Sequence, residues 1–336
     1  MIEARGILVA LAVLMAGLTT AGCGDDGGAS AAGSGAVRIA TTVAPLTSIA
    51  AMVGGDRVSI GGIVPEGTNS HTFEPKPSDA ELLAEADVLY VNGLGLEEPT
   101  AKLAEETMRD GAEIVALGTR SIAERDWIYD FSFPRAGGKP NPHLWTDPRY
   151  ALKYARIIRD DLSRRDPAGA ARYGANLERF AAQVNDLDRA MRRAFATIPR
   201  ARRKLLTYHD AYAYFGRSYG WDIIGAIQLS DFEDPTAKDV ARLIEQIRAE
   251  RVPAIFGSEV FPSPVLEQIG REAGVKYVDV LRDDDLPGKP GEPEHSWLGL
   301  MRFDYVTMTE ALGGDAATLR ALDVAGAVPD RAAYPQ

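Results

Sequence analysis

The chain is poor in cysteine, in histidine and in positive charge, and each shortage excludes something. A single cysteine among 336 residues excludes a disulfide within the chain. Lys and Arg number 37 against 48 Asp and Glu, which gives a formal net charge of −11. This acidity argues against nucleic acid as a partner, because phosphate binding needs clustered basic side chains. The folded region also contains no glycine-rich phosphate loop. The chain has only four histidines, so few imidazole ligands are available for a metal site.

The N-terminus predicts export and a lipid anchor. An apolar run over Ile7–Leu18 is too short to span a membrane as a helix and is typical of a signal peptide. Small residues then lead to Cys23 in a segment that resembles a bacterial lipobox, with Thr20 where such boxes usually carry leucine. We therefore expect residues 1–23 to be a lipoprotein signal peptide with Cys23 acylated. Residues 24–36, rich in Gly, Ser, Ala and Asp, are expected to form a flexible tether.

From Val37 onward, short apolar runs alternate with amphipathic stretches, the pattern of parallel α/β sheets. The periodicity predicts eight strands: Val37–Thr42, Val58–Val64, Val88–Val91, Glu113–Leu117, Lys204–Tyr208, Ile223–Ile227, Ala254–Phe256 and Tyr277–Leu281. It also predicts helices that begin near Ala237, Pro264 and Trp297. Between the two groups of strands, residues 118–142 have no periodicity and predict a long irregular loop of the kind that is often functional.

A long helix is expected to join two lobes. Pro167 suits the first turn of a helix, and an Ala-, Arg- and Leu-rich stretch then continues to about Thr197. The chain is therefore expected to be an α/β protein with two parallel-sheet lobes, over residues 37–165 and 199–336, joined by an interdomain helix over 166–198. A broken helical hairpin is the alternative for this stretch.

Three of the four histidines lie in loop-like contexts. His71 follows the second predicted strand, His143 lies at the end of the long irregular loop, and His209 directly follows the strand Lys204–Tyr208. Ligands of open parallel sheets bind beyond the carboxyl ends of the strands. Asp279 is the carboxylate placed at the corresponding position, and Glu259 is an alternative ligand or a group that orients a histidine.

Three imidazoles and a carboxylate would form a tetrahedral N3O site between the lobes. Such a site suits zinc and excludes soft metals that demand thiolate ligands. The fourth histidine, His295, is expected to be a surface residue. The acidic run Asp283-Asp284-Asp285 is expected to be a solvated loop.

The segments around His71, His143 and His209 resemble the three ligand motifs of the cluster A-I solute-binding proteins, which serve zinc and manganese ABC importers. The resemblance covers nearly all of 37–313. It implies two α/β lobes joined by one long helix, with the metal in the cleft. It also implies that His71 and His143 come from the N-terminal lobe, and His209 and Asp279 from the C-terminal lobe.

We therefore expect an extracytoplasmic, lipid-anchored carrier that captures Zn²⁺, or Mn²⁺, and delivers it to a membrane permease as a monomer. The chain has no histidine-rich tract between His71 and His143, unlike many zinc-binding members, and this leaves the metal open. Two alternatives are a zinc-dependent hydrolase, since three histidines and a water also describe a catalytic centre, and a surface adhesin. No His-Glu-x-x-His or nucleophile-elbow pattern supports the hydrolase.

Overall fold

A computed structural model describes residues 36–228, 235–258, 264–326 and 329–335. The expected lipidation site Cys23 and the alternative ligand Glu259 lie outside these residues. Within them, no helix combines the length and the apolarity needed to cross a membrane.

The N-terminal lobe contains a four-stranded parallel sheet in the order β2-β1-β3-β4. Its central strands are buried on both faces because helices cover them, which explains why the strand Val88–Val91 is an uninterrupted apolar run. The strands are β1 (Val37–Thr41), β2 (Val58–Gly62), β3 (Val88–Val91) and β4 (Glu113–Ala116). The helices are α1 (Ala44–Gly54), α2 (Pro77–Glu85), α3 (Glu98–Thr107), α4 (Leu117–Ser121) and α5 (Pro148–Arg165).

The C-terminal lobe repeats this arrangement, with a parallel sheet in the order β6-β5-β7-β8. Its strands are β5 (Lys204–Thr207), β6 (Asp222–Ala226), β7 (Ala254–Ser258) and β8 (Lys276–Leu281). The remaining helices are α6 (Ala170–Ala196), α7 (Ala213–Tyr219), α8 (Ala237–Glu250), α9 (Pro264–Ala273), α10 (Trp297–Ala311) and α11 (Ala317–Arg320). All eight predicted strands are present, and the predicted fold class is confirmed.

Helix α6 has 27 residues and lies between the two sheets in the sequence. At 1.5 Å per residue it is about 40 Å long. Its buried side chains recur every three or four residues, from Tyr173 and Leu177 to Met191 and Phe195, and form one apolar stripe. This stripe allows α6 to pack against α1, α5, α10 and α11, so that helices from both halves of the sequence share one core.

The end of the chain returns to the N-terminal sheet. Gly62 N donates to Ala333 O, and Ala333 N donates to Ile60 O, each at 2.9 Å. The segment 329–335 therefore covers the free edge of β2, which would otherwise expose unpaired backbone groups. This position differs from the expected assignment of all of 199–336 to the second lobe.

Candidate metal centre

His71 lies in the segment between β2 and α2, on a tight turn. Asn69 Oδ1 accepts a hydrogen bond from His71 N at 3.0 Å, and such an Asx turn fixes the backbone around the imidazole. Gly67, four residues earlier, has a φ of +77°, which is favourable for glycine. The turn directs the His71 ring towards the C-terminal lobe, where it meets His209.

His143 lies at the end of the long loop, before α5, and its ring orientation is fixed by Asn141. Asn141 Nδ2 donates to Asp130 Oδ2 at 3.0 Å and to Asp210 O at 2.7 Å, which only the amide nitrogen can do. Its oxygen therefore accepts, from His143 N at 3.0 Å and from His143 Nδ1 at 2.9 Å. The proton of His143 must lie on Nδ1, so Nε2 presents a lone pair.

His209 lies two residues after the end of β5, at the point where the order of strands reverses between β5 and β7. This is the position where open α/β sheets bind ligands. His209 Nδ1 lies 2.7 Å from Gln228 Oε1, which acts as the acceptor. In the neutral form of His209 the proton is therefore on Nδ1 and Nε2 is the free donor atom, in the arrangement typical of metal-ligating histidines.

The three Nε2 atoms converge. Nε2 of His71 lies 3.2 Å from Nε2 of His143 and 3.2 Å from that of His209, and the last two are 2.9 Å apart. In the described part of the chain, these residues are the one group of three or more His, Cys, Asp or Glu whose donor atoms all lie within 4.8 Å of one another. Two ligand atoms on a tetrahedral zinc ion, with bonds of about 2.0–2.1 Å, lie about 3.3 Å apart. The spacing therefore fits a single small cation.

Burial prepares two of these ligands in their neutral form. His143 is completely buried. Burial, and next the charge of a protonated His209, lowers the pKa of His71 and the pKa of His143 well below the ordinary value. Burial also lowers the pKa of His209, but the nearby Asp283 and Asp284 raise it, and the net shift is upward. His209 is therefore the ligand at which a metal ion must compete with a proton.

Asp283 is the carboxylate that the structure places beside the histidines. Its Oδ2 lies 3.5 Å from His209 Nε2, and its Oδ1 accepts a hydrogen bond from Ser258 Oγ at 3.2 Å. The residue is 3% exposed, and its backbone oxygen accepts from Trp145 Nε1 at 2.8 Å. Asp283 is therefore a buried carboxylate close to one of the three converging imidazoles.

Asp279, the carboxylate expected as the fourth ligand, has a different environment. It lies within β8, and a side chain at Gly257 on β7 would collide with its Oδ1, so Asp279 covers the neighbouring strand. Neither Asp279 nor Asp283 belongs to the group of donor atoms that all lie within 4.8 Å of one another. Asp283 lies beyond Leu281, the end of β8, where parallel sheets bind ligands, whereas Asp279 lies within the strand.

Comparison with known proteins, like the geometry of the histidines, indicates a metal-binding protein. Residues 39–311 match the family model described as ZnuA, the periplasmic component A of the zinc-uptake complex. The chain belongs to the ZnuA family. Membership confirms the predicted class of extracytoplasmic metal-binding proteins of uptake systems, which is a class of solute-binding proteins and not of enzymes.

Relatives within and around the ZnuA family carry names with different metals. The manganese-binding lipoprotein MntA of Halalkalibacterium halodurans is 30% identical over 92% of this chain and 99% of its own length. The iron-binding protein YfeA of Yersinia pestis is 27% identical over 82% of this chain and 86% of its own. The solved structure of the periplasmic zinc-binding protein TroA from Treponema pallidum has a TM-score of 0.75 at 24% identity, and covers 83% of this chain and 99% of that one. This last likeness confirms the fold.

The acidic run of this ZnuA-family chain is buried, which corrects the expectation of a solvated loop. Asp283, Asp284 and Asp285 are between 3% and 7% exposed. Asp284 accepts a hydrogen bond from Ser70 Oγ, and Asp285 accepts from Gly67 N at 2.6 Å. In return, Glu66 Oε1 accepts from Leu286 N at 2.8 Å. The acidic loop therefore clamps the segment that carries His71 (hereafter the His71 loop, residues 65–71).

His295 is also buried, at 2% exposure, where a surface position was expected. The orienting residues Asn141 and Gln228 were not identified from the sequence. Asn141 stands two residues before a candidate ligand, which is a local signal for an Asx-type contact. Gln228 is nineteen residues from His209, and no sequence spacing marks it.

A cavity of about 400 Å³ lies next to His71 and is lined by the end of the long loop, including Phe133, Lys139 and Pro142. The ring centroid of Phe133 lies 5.5 Å from that of His71. His71 is the least buried of the three imidazoles. This cavity is the side from which an ion can reach the histidines.

Proposed function

We propose that the chain captures zinc with Nε2 of His71, His143 and His209 and with the carboxylate of Asp283, and delivers it to the permease of an ABC importer. The observation that supports this most strongly is the convergence of the three Nε2 atoms. Asn141 and Gln228 hold protons on the opposite nitrogens of His143 and His209, so in the neutral rings both Nε2 atoms are available to a metal. A cation between two such atoms 2.9 Å apart would replace the proton that they otherwise share.

Zinc is proposed over manganese because of the donor set. Three nitrogens and one oxygen suit borderline zinc, whereas hard manganese prefers a larger share of oxygen ligands. Relatives named for manganese, iron and zinc all match this chain, so the metal is argued from the ligands alone. Glu259 stays the alternative carboxylate from the sequence, and a loss of zinc affinity in Glu259→Ala but not in Asp283→Ala would assign the role to it.

The chain is proposed to act as a carrier and not as a hydrolase. Catalytic zinc sites keep an open position for water, whereas a fourth protein ligand closes the coordination shell. Asp283, 3.5 Å from His209, would supply that fourth ligand. The ion would connect His71 and His143 of the N-terminal lobe to His209 and Asp283 of the C-terminal lobe, which suits capture and later release.

The carrier is proposed to be anchored outside the cell membrane through Cys23. Several relatives are named lipoproteins, which agrees with the signal peptide and lipobox pattern. Replacement of Cys23 by Ser should release the protein into the soluble fraction with its zinc binding intact. A wild-type protein that is already soluble would contradict the anchor.

A competition titration tests the proposed metal. Untagged, metal-free protein is titrated with zinc in the presence of a chromophoric chelator, and then with manganese under the same conditions. We expect one tight zinc equivalent and manganese binding at least tenfold weaker. Tighter binding of manganese than of zinc would overturn the assignment, and His209→Ala serves as the control in which tight zinc binding is lost.

A further inference from the structure

His295 is buried away from the three-histidine centre, and neither of its ring nitrogens has a hydrogen-bond partner among the described residues. Its side chain is 1% exposed. Buried polar groups are nearly always satisfied by protein, water or an ion, because an unsatisfied group retains its full cost of desolvation. A buried imidazole with two unpaired nitrogens therefore indicates a missing partner.

A carboxylate of the His71 loop faces this imidazole. Glu66 Oε2 lies 3.8 Å from His295 Nε2, which is too far for a direct hydrogen bond. It is a suitable separation for two ligands of one ion, since bonds of about 2.0–2.2 Å allow ligand atoms to stand up to about 4 Å apart. The other oxygen, Glu66 Oε1, is held by Leu286 N at 2.8 Å, so the carboxylate is fixed in place.

His295 lines a cavity of about 130 Å³, and a second carboxylate, Asp330, lines it too. Asp330 is fixed by hydrogen bonds from Ala332 N at 2.8 Å and Tyr334 Oη at 2.6 Å. A water molecule occupies about 30 Å³ in the liquid, so the cavity has room for an ion with a few waters. Gly291, Glu292 and Pro293 line the same cavity and are exposed, which gives an ion a path from solvent.

We propose that His295, at the wall of this cavity, and the facing Glu66 bind a second borderline divalent ion such as zinc, with water from the cavity completing the shell and connecting it to Asp330. An imidazole with a carboxylate favours zinc, since hard cations such as magnesium prefer oxygen alone. Only two protein donors, His295 Nε2 and Glu66 Oε2, face each other here. This site therefore binds zinc more weakly than the three-histidine centre. An ion at this site would join the His71 loop, which contains Glu66, to the start of α10, which begins two residues after His295.

Equilibrium dialysis of the untagged, metal-free full chain against increasing zinc tests the proposal. Wild-type protein is expected to bind about two zinc ions per chain, the second at least tenfold more weakly than the first. His295→Gln keeps a polar side chain of similar length but removes the imidazole. Glu66→Gln keeps an acceptor for Leu286 N but removes the charge. His295→Gln should weaken the second binding step at least tenfold and leave the first unchanged, and Glu66→Gln should weaken the second step to a similar extent.

Two controls distinguish this site from the three-histidine centre and from surface ions. His209→Ala should lose the tight step and keep the weak one, so failure at one centre does not imply failure at the other. Glu292→Gln, at the exposed rim, should bind like wild type. The proposal is overturned if wild-type protein saturates at one zinc per chain, or if the second ion survives in both His295→Gln and Glu66→Gln. Retention of the tight step shows that each variant is folded.

Discussion

At the scale of single residues, the site depends on where protons are held. Asn141 and Gln228 fix protons on the outer ring nitrogens of His143 and His209, and burial keeps His71 and His143 neutral. The three Nε2 atoms are then grouped around one position before any ion arrives, and only His209 has to lose a proton readily held there. Such preorganisation lowers the cost of binding, since the side chains do not have to be ordered by the metal.

The choice of carboxylate is the sharpest prediction at this scale. Asp283→Ala should weaken zinc binding about 10- to 100-fold or more, because water must replace a ligand beside His209. Asp279→Ala is a matched control from the same strand–loop segment and should bind zinc within a few-fold of wild type. Chelator competition measures both. The reverse order of effects would restore Asp279 as the ligand.

Zinc affinity should depend on pH through His209. The pKa of this imidazole lies above its ordinary value of 6.5, owing to Asp283 and Asp284, despite the opposing effect of burial. Zinc binds the neutral imidazole and must displace the proton. Affinity is therefore full above this raised pKa and falls as the pH drops through it, by up to about tenfold per pH unit for one proton. Titrations in steps from alkaline to acidic pH should show the fall begin above pH 6.5, and a constant affinity through that range would contradict this account.

At the scale of elements, the acidic loop positions the His71 loop. Asp285 accepts from Gly67 N, Asp284 accepts from Ser70, and Leu286 N donates to Glu66. These contacts are made by residues one to three positions from Asp283 and one to five positions from His71. We expect them to couple the position of one ligand loop to that of the other.

Asp285→Ala tests this coupling. The substitution leaves Gly67 N without its acceptor, and loss of this part-buried hydrogen bond to a charged group costs on the order of 1 kcal/mol. We expect a lower melting temperature of the metal-free protein and a several-fold weaker zinc affinity, because the His71 loop loses a constraint. Asp285→Asn, which retains an acceptor oxygen, should recover most of both. If Asp285→Ala binds zinc like wild type, the loop does not position His71.

Local patterns in the sequence predict the strands and helices but not the partners of buried charge. The strand Val88–Val91 and the helix Ala170–Ala196 are apparent because burial imposes an uninterrupted apolar run or a stripe. The sequence predicts surface positions for Asp283–Asp285 and His295, because the residues that surround them in the fold are distant in sequence. Gly67, for example, lies 218 residues from Asp285. Asp279, expected as a ligand, lies inside the strand, whereas parallel sheets bind ligands beyond the ends of their strands.

At the scale of the whole molecule, the metal centre joins lobes that already share a core. Helices α1, α5, α6 and α10 belong to one continuous hydrophobic cluster, and the end of the chain returns to β2. A wide opening of the cleft would break this core. Loss of metal should therefore produce loop rearrangement and a small rotation of the lobes.

Zinc should stabilise this whole assembly by mass action. An ion that binds the folded chain alone, at 100 times its dissociation constant, adds about 2.7 kcal/mol to the free energy of unfolding. Wild-type protein should therefore melt several degrees higher with zinc than without. His209→Ala should lose most of this increase because one of three imidazoles is missing. Calorimetry with and without chelator measures the effect, and an equal increase in His209→Ala would place the stabilising ion elsewhere.

The most direct test of the central claim is anomalous diffraction at the zinc edge from crystals of the zinc-loaded protein. The account predicts a strong peak at bonding distance, about 2.0–2.2 Å, from Nε2 of His71, His143 and His209 and from a carboxylate oxygen of Asp283. These atoms lie on both sides of the cleft, so one peak establishes the ligands and the bridge between the lobes together. A zinc ion bound by fewer than three of these imidazoles, or by Asp279 in place of Asp283, would contradict it.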